Sequence, residues 1–142
     1  MNTPLKNVRW LMVGGATLAI IALSFLTLMG ITAVYAAHLA WQVRGSPDQV
    51  AINHFAANAS RTLIPWLQWL FTLFAAILVV RRAGPAAMLN SVLTGIAAGL
   101  FGAAVAFAFV GEVNLHMAGW ALATAGAGWL GAIVGRRTGN LP

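Results

Sequence analysis

Cysteine is absent from the chain. Its absence excludes disulfides and thiolate metal sites, and it removes the usual indicator of redox compartment. Acidic residues are nearly absent as well: Asp48 and Glu112 are the only two in 142 residues, against eight Lys and Arg. Charged residues make up 7% of the chain, where a soluble domain carries about a quarter. The known signatures of catalysis are also missing. There is no Gly-x-Ser-x-Gly elbow, no phosphate-binding glycine loop and no acid–base dyad inside an apolar run. The expectation is therefore a protein that is not an enzyme and has no cofactor. No Asp, Glu, Lys or Arg falls deep within an apolar run, and proton-coupled carriers and ion pumps ordinarily need one there.

What fills the chain instead is apolar: 61% of residues are hydrophobic and the mean hydropathy is +0.85. A hydrocarbon core about 30 Å thick is crossed by roughly 20 apolar residues in a helix. Four runs meet that length, at about 10–36, 62–80, 86–110 and 115–135, leaving no length for a soluble domain. The reading is an all-α membrane protein, one four-span domain, with its four transmembrane helices in an antiparallel bundle. The lipid bilayer is its first partner.

The formal charge of +6 is not a nucleic-acid signal, because there is no continuous basic face and no domain to carry one. The basic residues fall in short clusters beside the spans: Lys6 and Arg9, Arg81 and Arg82, Arg136 and Arg137. Such clusters hold loops on the cytoplasmic side. All three agree on a multi-pass protein of the cell (inner) membrane with both termini cytoplasmic. Arg44 and Arg61 stand singly on the outer side. Trp10, Trp41, Trp66, Trp69, Trp120 and Trp129 lie toward span ends, where indole rings anchor at the headgroup level.

Residues 1–9 with Lys6 and Arg9 look like the start of a signal sequence, and Val34-Tyr35-Ala36 has the pattern of a cleavage site. The apolar run is longer than the roughly 7–15 residues of a signal peptide, so an uncleaved first span is expected. Apolar character continues to Trp41 and Val43. A helix of that length must tilt, break near Gly30 or project beyond the bilayer, and projection is the reading adopted. Gly45-Ser46-Pro47 then makes a turn. Ser46 as N-cap, Pro47 at the first position and Gln49 three residues on form a capping box. With Ile52, Phe55, Ala56 and Ala59 on one face, the expectation is a short amphipathic helix on the outer surface between spans 1 and 2. Pro65 is placed in the first turn of span 2, and Asn114 is the expected N-cap of span 4.

Small residues recur every fourth position in the last span, at Gly119, Ala123, Ala127, Gly131 and Gly135. A matching row in the third span is Ser91, Gly95, Gly99 and Ala103. Rows without side chains let helix backbones approach closely in lipid, so spans 3 and 4 are read as a tight hairpin packed through them. The same faces suit a partner helix or a second copy. The function expected on this basis is an accessory or assembly subunit of a membrane complex, or a homo-oligomer. A small channel or transporter is the alternative. So is an outer-face metal- or haem-binding subunit using His38, His54, Glu112 and His116, since imidazoles and a carboxylate suit zinc, copper or iron. Against the metal reading, polar groups excluded from the spans must gather outside in any case, and no recognised ligand spacing is present.

The sequence Arg81-Arg-Ala-Gly84 after span 2, the Gly/Ala-rich third span and the ending Ala125-Gly-Ala-Gly-Trp-Leu-Gly-Ala-Ile-Val-Gly-Arg-Arg137 together resemble small four-span bacterial membrane proteins of uncharacterised function. The resemblance covers the architecture of most of the chain and implies no site or activity.

Overall fold

The computed structural model describes residues 7–110 and 115–139, and these residues are helical apart from short connections. The helices are α1 (Trp10–Val43), α2 (Gln49–Arg82), α3 (Ala87–Val110) and α4 (Leu115–Gly139), with one turn of 3-10 helix at Gly84–Ala86. Each of the four contains a stretch long and apolar enough to cross a membrane. The protein is an integral, multi-pass membrane protein on this evidence.

α1 runs unbroken through Gly30 and ends at Arg44, whose backbone is left-handed at φ 50°. The separate amphipathic helix expected after it does not exist as an element of its own. Residues 49–61 are the first turns of α2, which continues through Pro65 to Arg82 without interruption. Pro65 is thus in the helix interior rather than the first turn. It removes one backbone hydrogen bond there, at a cost of about 3 kcal/mol in an isolated helix. Packing on both sides of the proline holds the helix together. Outward of it, Tyr35 of α1 stacks on Phe55 at 4.0 Å. At the proline itself, Trp66 meets Trp120 of α4 edge to face at 5.0 Å. The cap is also two positions off: Asp48, not Ser46, caps α2, its carboxylate accepting from Val50 N at 2.8 Å. Asp outcompetes Ser here because a charged acceptor is favoured at a helix N-terminus. The expected Asn114 cap lies outside the described residues.

α2 and α3 occupy the middle of the structure: α2 touches all three other helices, and α3 touches α1, α2 and α4. The interior is built from small side chains and short polar ones. Ala76, Ala98, Ala127 and Ala132 are fully enclosed, and so are Ser24, Thr72, Asn90, Ser91 and Thr94. Large apolar side chains face outward instead, among them Leu11, Leu18, Leu26, Phe74, Leu100 and Leu122. In water that arrangement would be inverted, but lipid gives apolar side chains no reason to turn inward.

Candidate functional site

Two close seams fix α4. On one side, a Cβ built on Gly95 would lie 2.9 Å from Gly128 Cα, and one on Gly99 would lie 2.7 Å from the Ala121 carbonyl oxygen. The α3 residues rise in number along this seam as the α4 residues fall. On the other side α4 meets α2: a Cβ on Gly131 would lie 2.6 Å from Ala76 Cβ, and one on Gly135 3.1 Å from the Ile77 carbonyl oxygen. The proposed row of α4 is therefore divided. Its inner members, Gly131 and Gly135, lie against α2 rather than α3. Gly119 is exposed with open space around it. Gly128, which the fourth-residue pattern leaves out, meets Gly95 together with the Thr124 carbonyl. Ala123 is half-buried and Ala127 fully buried, while on α3 Ala103 is half-buried.

Short polar side chains stitch the interior. Ser91 Oγ donates across helices to the Ala76 carbonyl at 2.6 Å. Asn90 accepts at Oδ1 from Arg9 N, 2.9 Å away, and donates through Nδ2 to the Ala86 carbonyl at 3.0 Å. Ser24, Thr94 and Thr124 donate to the carbonyl four residues back, the usual way a hydroxyl is satisfied in a helix. Thr17 and Thr72 are different: their hydroxyls are buried without a partner. Nothing in the spacing of Asn90 shows that Arg9, 81 residues away, supplies its donor.

Arginines gather at one end. Arg9 Nη1 donates to the Arg82 carbonyl at 3.2 Å and Arg81 Nη2 to Thr138 Oγ1 at 2.8 Å. Arg136 Nη1 approaches Met88 Sδ at 3.8 Å. These contacts tie the ends of all four helices together. Arg137 is exposed beside Thr138, and Lys6 lies outside the described residues.

The other end carries the histidines. Each pairs one turn along its own helix: His38 with Gln42 at 3.0 Å, His54 with Asn58 at 3.3 Å, and His116 accepting from Trp120 Nε1 at 2.9 Å. Among the described residues no three metal-capable side chains come together, so the structure does not assemble His38, His54 and His116 into one site. Glu112 lies outside the described residues. Beside His54, an open groove of about 430 Å³ is lined by Tyr35, Phe55, Asn58, Thr62 and neighbouring residues. Of the six tryptophans, Trp10, Trp41, Trp66 and Trp129 are exposed, and Trp69 and Trp120 are half-buried.

No family model matches the chain, and neither a curated protein nor a solved structure is significantly similar to it.

Proposed function

We propose that the chain is a non-enzymatic accessory or assembly subunit of a membrane complex, self-associating or joined to another membrane protein. It would sit in the cell (inner) membrane as an antiparallel bundle packed through Gly and Ala, with both termini cytoplasmic. The supporting observation is the unequal length of the helices. α4 begins at Leu115, five residues before Trp120, whereas α2 begins at Gln49, 17 residues before the Trp66 that Trp120 touches. About twelve residues of α2 therefore extend past the first described residue of α4, a reach of about 18 Å. α1 runs beside this extension, through the Tyr35–Phe55 stack.

Arg61 and Arg81 are about 30 Å apart along α2 at about 1.5 Å per residue, which matches the hydrocarbon thickness. A bilayer placed between them leaves the end of α1 and the start of α2 standing outside as a helical hairpin. That hairpin presents Trp41 at 85% exposure and Val50 at 76% beside amides and imidazoles. Aromatic and apolar groups among polar ones are the composition of a protein-contact surface. Glycine seams supply the rigid base from which it projects.

A small channel or carrier is the second reading, favoured by the buried polar side chains Thr72, Asn90, Ser91 and Thr94. It needs an open polar path, and the close α3–α4 seam works against one between those two helices. Native mass spectrometry of the full chain, released from nanodiscs, tests the proposal. Retention of a protein partner or a defined copy number is expected. A bare monomer, in nanodiscs and in mild detergent alike, would overturn it.

A further inference from the structure

The arginine end carries charge that no described residue neutralises. Arg9, Arg81 and Arg136 each use a donor on a neutral acceptor: a carbonyl, a hydroxyl and a thioether. Arg82 and Arg137 are exposed. No ion pair forms among the described residues. Both acids are remote along the chain: Asp48 caps the opposite end of α2, and Glu112 follows α3. A guanidinium has five N–H donors in a planar fork that fits a phosphate bidentately. Among the described residues this end therefore has donors left over and no anion beside them.

We propose that the arginine end binds the headgroup of an anionic phospholipid, with Arg81, Arg136 and Arg137 as the phosphate-binding side chains where α2 and α4 meet. Three observations place them there. Arg81 reaches α4 by its hydrogen bond to Thr138. Arg136 and Arg137 immediately precede Thr138 in the chain. The same two helices, within about two turns of the arginines, expose Phe74, Leu78, Leu130 and Val134. An anion held by the guanidiniums thus has apolar surface below it on the membrane side. That is the shape of a phospholipid, charged at one end and apolar at the other, and it is why the occupant is a lipid rather than free phosphate. Basic pockets between membrane helices hold anionic headgroups in this way. The proposal rests on the membrane reading and not on the subunit role.

The test uses the full chain in detergent, offered equal amounts of phosphatidylglycerol and phosphatidylcholine, with bound lipid counted by native mass spectrometry. The native protein is expected to retain the anionic lipid at least tenfold over the zwitterionic one. The triple variant Arg81→Gln/Arg136→Gln/Arg137→Gln is expected to lose most of that preference, while Arg44→Gln/Arg61→Gln, at the opposite end, keeps it. The triple Arg→Lys variant preserves charge and insertion and separates geometry from charge. A severalfold loss of preference in it supports the forked contact, and full retention overturns it in favour of diffuse attraction. Equal retention of both lipids by the native protein would overturn the site. So would competition by millimolar inorganic phosphate as strong as that by the lipid. Melting of each variant in phosphatidylcholine alone checks that the bundle is intact; if the Gln variant does not fold, the Arg→Lys variant decides.

Discussion

Gly95 of α3 and Gly128 of α4 meet backbone to backbone: a Cβ on either would lie 2.9 Å from the other's Cα. Real Cβ atoms essentially never come that close, so either residue is replaceable only if a helix moves. The contact carries several turns with it, since Gly99 meets the Ala121 carbonyl farther along the same seam.

Gly128→Ala is expected to destabilise the protein by about 1–3 kcal/mol, the usual cost of overpacking, read as a lower melting temperature in detergent. Gly119→Ala has open space around it and is expected to be neutral or slightly stabilising, because Ala is the better helix former. Gly95→Ala and Gly128→Ala strain the same contact, so their costs are expected not to add in the double variant. Equal melting for Gly119→Ala and Gly128→Ala would show that the seam yields freely.

Gly131→Ala places its methyl 2.6 Å from Ala76 Cβ and 2.7 Å from the Leu73 carbonyl oxygen. Adding Ala76→Gly removes the first obstacle and leaves the second. Partial recovery of the melting temperature is the expected result. Complete recovery would mean that the α2 backbone shifts easily, and none would mean that the carbonyl alone governs the approach.

Asn90→Leu removes the acceptor of Arg9 N and leaves that amide, just before α1, without its partner. The expected loss is about 1 kcal/mol, the low end of the cost of stranding a polar group, because this one is part-buried. Asn90→Asp keeps the acceptor but turns an oxygen toward the Ala86 carbonyl in place of the Nδ2 donor and buries a charge, so it is expected to be no more stable than Asn90→Leu in the same melting assay. Ser91→Ala, which loses one interhelical bond to the Ala76 carbonyl, is expected to cost about 0.6 kcal/mol, the average for such bonds in membranes.

Because the native chain has no cysteine, single cysteines report position cleanly. Asn7→Cys and Thr138→Cys flank the arginine end and are expected to react with a membrane-impermeant maleimide only after cells are opened. Gln49→Cys, at the start of α2, is expected to react in intact cells, and Phe74→Cys in neither case. Labelling at Thr138 in intact cells would invert the topology, and shielding at Gln49 would bury the hairpin.

The spans were legible because lipid demands long apolar runs, and the arginines mark where those runs stop. The faces of α4 were not. Small residues lie all around that helix, so composition picks out no side. The fourth-residue row also misleads over distance: each step of four advances about 400° around a helix of 3.6 residues per turn, so the row drifts about 40° a step. From Gly119 to Gly135 it has turned through about 160°, which is why one end is open and the other presses on α2. Ala121 and Gly128, seven apart, keep nearly one direction and face α3 together. The early part of α2 is hard to read from sequence for a different reason. Pro65 reads as a boundary in sequence, and the contacts that override it, Tyr35 with Phe55 and Trp66 with Trp120, join residues 20 and 54 positions apart. The bridge from Arg9 to Asn90 was hidden in the same way.

The two glycine seams also set an order of events during synthesis. Both involve α4, which leaves the ribosome after α1, α2 and α3. Until it arrives, Gly95 on α3 and Ala76 on α2 have no partner there, and the nascent three-helix chain faces lipid, or any passing helix, with its narrowest surfaces. Arrival of α4 then closes both seams with a single element. A message truncated before residue 115 would thus yield not a slightly weaker protein but one exposing two unfilled clefts, the kind of product that membrane quality control removes.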